Sequence, residues 1–371
     1  MKQNTFENSE WNSLTRLELL DFFSNSSIAS STSPPIEIQP FTHLELFSKF
    51  RDKMRRGKTP ILPFSITTFK LVNTIKKFSV RSELNIFKCN DQSRMFDGIA
   101  DVKDSEKEYT MDAPVGIKIS HHHQCIIVSD YNNQNTIIVD LENCKSLKKI
   151  LPIQTNAIEL DRNYNGLHQD ALLCFRKSCV MKYDLNQLLT ESFESVTPLW
   201  TSTKCSALVG MTIVGQEVLV TGDNNRVYVL SLLNGELLQT MTLPDTILRA
   251  TGIDALSHNE VVLGEGYPFD RLILCRKIDN TWKFVKILVE ESVERENETP
   301  YPYHLVIDRA TRNIIVSSCY GLELRIFSPD GQKRRTYGKD LLSYPEGMCI
   351  NELTGELFVC DTDHCSIHIF K

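Results

Sequence analysis

A chain of 371 residues with 41% hydrophobic and 24% charged residues has the make-up of a globular protein, long enough for one large domain with an appendage, and this excludes a fibrous or low-complexity chain. No run approaches the ~18 consecutive apolar residues of a membrane span, and the amino terminus has no apolar core behind a basic stretch, so no membrane association and a cytoplasmic location are expected. The eleven cysteines form no C-x-x-C pair and mostly sit in strand-like runs, as Cys125, Cys174, Cys349 and Cys360 do, the pattern of buried reduced thiols.

Residues 1–66 read as an N-terminal extension, partly helical and partly disordered. Leu14, Leu17, Leu20 and Phe23 recur at near-helical spacing, and residues 24–40, with Pro34-Pro35, form a polar linker. A helix is expected over 42–56: Thr42 and Glu45 make a capping box, Phe41, Leu44, Phe47, Phe50 and Met54 line one face, and Gly57 marks its stop. Its basic far end, Lys49 to Lys58, complements the helix dipole.

From residue 67 to 371 the pattern is that of strands. Thr68–Val72 and Glu83–Lys88 are short β-like runs, and beyond them one spacing recurs. Pro345 to Asp361 is 16 positions and Pro345 to Phe370 is 25; Pro302 to Ser318 and Phe327, and Pro114 to Asp130 and Val139, repeat both values. Gly210 to Gly252 is 42 positions. Repeats of ~40–50 residues with four strands each are the signature of propeller blades, which stack until the ring closes because none buries both faces alone. The count gives an all-β, six-bladed β-propeller. Its sixth blade lacks an outermost strand after Phe370, and an N-terminal strand near 83–88 is expected to supply it.

Tyr344-Pro345-Glu346-Gly347 with Phe358-Val359-Cys360-Asp361 and Ile367-His368-Ile369-Phe370 resembles the NHL repeat, as does Ala113-Pro114-Val115-Gly116 with Ile127-Val128-Ser129-Asp130. The resemblance covers about residues 80–371. It implies NHL-type propeller blades, and it is far less specific for function, because such propellers serve many roles.

Asp130, Asp223 and Asp361 each precede a polar turn, where a carboxylate can accept hydrogen bonds from backbone N–H groups two or three residues on, so they read as a structural turn motif. Some similar propellers are metal-dependent lyases or hydrolases with a site at the channel mouth. Here His304 is the lone histidine at an inner-strand entry, where Gly116, Gly210, Gly252 and Gly347 stand in other blades, and it reads as channel-lining. His121-His122-His123 reads as a solvent-facing turn. No catalytic residue, metal or cofactor is expected, and a monomer is. Residues 111–371 carry 25 Lys and Arg against 33 Asp and Glu, a net charge of −8, which disfavours nucleic acid apart from the local patch Lys333-Arg334-Arg335. The expected function is a non-enzymatic interaction scaffold for a protein or peptide partner, with the metal-dependent enzyme and RNA binding through that patch as alternatives.

Overall fold

The computed structural model describes Phe64 and residues 69–80, 107–176, 178–205, 209–222, 225–266, 269–291 and 302–371. The linker over 24–40, the helix over 42–56, the 83–88 segment and Asp223 lie outside the described residues. Six sheets follow one another. The N-terminal part supplies β1 (Leu71–Ile75), β2 (Lys77–Val80) and β3 (Lys107–Thr110). Blade 1 holds β4 (Pro114–Ser120), β5 (Cys125–Asp130), β6 (Asn135–Asp140) and β7 (Ser146–Leu151). Blade 2 holds β8 (Ile158–Asp161), β9 (Ala171–Arg176), β10 (Cys179–Asp184) and a short β11 (Trp200–Thr201). Between its last two strands lies helix α1 (Leu185–Thr190), whose N-cap Asp184 accepts from the Gln187 N–H.

Blade 3 is β12 (Met211–Val214), β13 (Glu217–Gly222), β14 (Arg226–Ser231) and β15 (Leu237–Thr242). Blade 4 is β16 (Ala250–Ser257), β17 (Glu260–Glu265), β18 (Asp270–Ile278) and β19 (Thr281–Glu291). Blade 5 is β20 (Pro302–Ile307), β21 (Ile314–Ser318), β22 (Glu323–Phe327) and β23 (Lys333–Tyr337). Blade 6 is β24 (Pro345–Asn351), β25 (Glu356–Asp361) and β26 (Ser366–Phe370). The recurring 16-residue interval is a ladder register: Pro114 pairs with Asp130, Pro302 with Ser318 and Pro345 with Asp361.

The edge of β26 is covered by β1, with Ile75 opposite Ile367 and Thr74 opposite His368. The donor of the outermost strand is therefore Leu71–Ile75 and not the 83–88 segment expected from the sequence. The physical reason lies in the next residues: Lys76 turns the chain onto the neighbouring blade, where β2 runs parallel to β7 and antiparallel to β3. One short segment is thus hydrogen-bonded to both blades that meet at the seam.

Apolar side chains pack between blades. The cluster at the seam combines Ile75, Phe78, Ile117, Ile119 and Val128 with Phe358, Cys360, Ile367 and Ile369, and Phe370, stacked on Phe69 at 5.0 Å, anchors the next, between blades 5 and 6. Inner strands approach closely through glycine. A Cβ on Gly210 would lie 2.6 Å from the Thr251 carbonyl oxygen, one on Gly252 2.7 Å from the His304 Cα, and one on Gly347 inside the contact distance of the Val115 carbonyl oxygen. Hydroxyls stitch the same junctions. Thr221 donates to the Thr251 carbonyl at 2.6 Å, Thr251 to Pro302 at 2.6 Å, Ser317 to Glu346 at 2.8 Å, and Thr362 to Pro114 across the seam at 2.9 Å.

Candidate functional site

The inner strands surround a channel, and where their C-terminal ends emerge there is a cavity of about 350 Å³ lined by Lys118, Glu159, Thr212, Asp254, Arg162 and Glu352 among others. Four of these charges form two ion pairs. Lys118 Nζ lies 2.7 Å from Glu159; burial alone would lower its pKa, but Glu159 and Asp254 hold it above the ordinary lysine value. Arg162 lies 2.9 Å from Glu352; burial opposes ionisation of that carboxyl, yet Arg162 and Arg309 bring it down to about 2. Burial raises the Asp254 pKa, partly offset by Lys118 and Arg309, and its oxygens accept from the Thr212 hydroxyl at 3.1 Å, the Ala255 N–H at 2.7 Å and the Ile307 N–H at 2.7 Å. The arrangement neutralises charge brought in by several strands.

His304 lies on β20, opposite Ser317 in the ladder. Burial, then the Lys118 charge, pulls its pKa to about 3, so it stays neutral. Its buried Nδ1 has no hydrogen-bond partner. Among the described residues no set of three metal-ligating groups includes it.

The turn aspartates act through hydrogen bonds. Asp130 accepts from the Tyr109 hydroxyl at 2.7 Å, the Asp112 N–H at 2.8 Å and Asn133 Nδ2 at 2.8 Å; burial raises its pKa against these donors. Asp361 accepts from the Ser343 N–H at 3.0 Å and the Tyr344 N–H at 2.8 Å, with His364 Nδ1 at 2.8 Å and His368 Nε2 at 3.3 Å. Burial would raise its pKa, but His368, the two N–H groups and His364 bring it to about 2.

The histidine triplet is not the solvent-facing turn the sequence suggested. His121 is buried with neither ring nitrogen hydrogen-bonded, and burial, then the Arg162 charge, lowers its pKa to about 4. His122 Nδ1 lies 2.6 Å from Asp170, a residue of the next blade, to which Ser120 donates at 2.6 Å. His123 Nδ1 lies 3.1 Å from the Ser120 hydroxyl. Ser120 is fully buried, so this trio offers no nucleophile to a substrate. The missed element is Asp170, 48 positions from His122, which no local spacing could have announced.

The opposite end differs in chemistry. In four-stranded antiparallel blades, the turns joining strand 2 to strand 3 and the connections to the next blade lie on one rim. That rim carries Tyr131, Phe269, Tyr320, Leu322, Leu248 and Leu341, all exposed, with Tyr320 at 56% and Leu248 at 51%. The three exposed large aromatics of the described residues are all there. Arg271 stacks over Phe269 at 3.8 Å, and Tyr320 meets Tyr344 edge-on at 5.7 Å.

No protein-family model matches the chain, and no curated protein sequence does. Solved structures similar to it include the β-propeller domain of Cps50 (Swd1) from Myceliophteria thermophila, with TM-score 0.50, 12% identity, and 72% of this chain and 85% of that one covered. An auxiliary nutrient binding protein from Bacteroides thetaiotaomicron gives 0.51 at 13% identity, covering 70% and 69%. The WD40 propeller domain of Doa1 gives 0.49 at 8% identity, covering 69% and 77%. Similarity at these identities speaks to the fold, a six-bladed β-propeller. No helix of the described residues is long and apolar enough to cross a membrane.

Proposed function

We propose that the protein is a non-enzymatic interaction scaffold of NHL-type repeats that binds a protein or peptide partner on the rim bearing Tyr131, Phe269 and Tyr320. The observation that carries this reading is the concentration of exposed aromatics on one rim, since aromatic anchors dominate protein recognition surfaces. The cavity at the other end is lined by the ion pairs Lys118–Glu159 and Arg162–Glu352 and by Asp254. Lys333, Arg334 and Arg335, the basis of the RNA alternative, are exposed on the outer strand of blade 5 and on neither rim.

The test is affinity capture with the full chain, followed by a titration of the recovered partner. Phe269→Ser with Tyr320→Ser is expected to weaken binding by at least about 30-fold, the effect of losing a central anchor, while Leu233→Ser on the opposite rim leaves it unchanged. Binding that survives the double variant and fails with Leu233→Ser contradicts the assignment.

A further inference from the structure

Asp361, His364 and His368 each offer one ligand atom, and these atoms all lie within 4.8 Å of one another. We propose that they form a binding site for a divalent transition metal of the zinc type, at the turn that joins strands 2 and 3 of blade 6 and hence on the rim that bears the exposed aromatics. Tetrahedral zinc with bonds of roughly 2.0–2.1 Å sets its ligand atoms about 3.3 Å apart. His368 Nε2 already stands 3.3 Å from Asp361 Oδ2. His364 Nδ1 stands at 2.8 Å, and its side chain, 47% exposed in a turn, can swing back by about half an ångström to admit the ion. Two imidazoles with one carboxylate select zinc, cobalt or nickel over calcium and magnesium.

The surroundings support the same reading. His368 Nδ1 faces the Thr74 hydroxyl at 3.1 Å, the outer partner that fixes a ligating imidazole with its other nitrogen toward the metal. The Ser343 and Tyr344 N–H groups brace the carboxylate. Blade 1 supplies the control. Its equivalent turn holds Asp130 with Asn133, three residues on as His364 is, and with the Tyr109 hydroxyl. Hydrogen bonding alone is thus served by side chains that do not ligate zinc through nitrogen, and blade 6 replaces them with two imidazoles. The Ser366 hydroxyl lies 3.2 Å from His368 Nε2, while His364 faces solvent. Because Thr74 belongs to β1, a bound ion would also tie the turn to the strand that closes the ring.

The experiment titrates Zn²⁺ into the chelator-stripped full chain against a chromophoric competitor. One strong equivalent is expected, with a rise in melting temperature. His364→Asn, which restores the blade 1 turn and so keeps the fold, should weaken it by at least about 100-fold, and Thr74→Val by about 10-fold. Co²⁺ should give d–d bands without a thiolate charge-transfer band, which separates the site from Cys365 and other thiols. The proposal is overturned if no strong equivalent is found, if His364→Asn binds as the native chain does, if thiolate bands appear, or if the loss follows His122→Ala instead.

Discussion

Blades 1 and 6 share one sequence spacing and meet at the seam, yet they are completed in opposite ways. Blade 1 has four strands of its own and accepts β2 and β3 as additional outer strands, whereas blade 6 takes its fourth strand from β1. Their turn aspartates differ as well: Tyr109 and Asn133 hold Asp130, and His364 and His368 hold Asp361. The contrast teaches that the repeat fixes the register of a blade, while its edge and its turn donors are set by what the ring places beside it.

The largest effect should come from the seam. Ile75 is 2% exposed, within the core shared by both blades, and Ile75→Asp would bury an unpaired carboxylate. A loss of about 4 kcal/mol or more is expected in urea unfolding; Val72→Asp, on the exposed side of the same strand, should cost under about 0.5 kcal/mol. Equal effects would show that β1 does not close the ring.

The paired glycines sharpen the comparison. Gly347→Ala drives a Cβ against the Val115 backbone, while at Gly116 the nearest atom to a new Cβ is 3.5 Å away. The first should cost about 2–3 kcal/mol and the second under about 1, read from unfolding midpoints.

The smallest effect is in pH dependence, and it has opposite signs in the two blades. Asp361 has a pKa of about 2 in the fold, below the usual ~3.9, so it stabilises the protein above about pH 4, and that contribution fades as pH falls toward 2. Asp361→Asn should flatten the acid limb and cost about 1–3 kcal/mol at neutral pH. Asp130, whose pKa burial raises, favours the fold most when protonated and loses that contribution as pH rises through its folded value; Asp130→Asn should remove a decline on the rising side. Parallel pH profiles for both variants would contradict the two environments.

Much of the ring was legible because ladder register is local. The 16-residue interval revealed the repeat, and the structure shows it to be the register that sets Pro114 opposite Asp130 and Pro345 opposite Asp361. The closing strand was not legible, since Leu71–Ile75 and residues 83–88 are both short β-like runs and only the position of blade 6 chooses between them. The cavity was invisible for a related reason: Lys118, Glu159 and Asp254 come from three different blades, so no motif spacing joins them. The sequence placed Asp361 before a polar turn, but its backbone donors, Ser343 and Tyr344, lie ahead of the blade and not in that turn, and neither they nor the approach of His368 from a strand could be read locally.

The ring's closure by β1 is tested most directly by amide hydrogen exchange of β26 in the full chain. Protection of residues 366–370 comparable to that of β14, a strand flanked on both sides, is predicted. It should fall by orders of magnitude in at least one of Asn73→Pro and Thr74→Pro, because successive N–H groups of a strand point to alternate sides and one of the two must enter a ladder. Exchange of β26 as fast as that of an open sheet edge, or protection untouched by both prolines, would contradict the account.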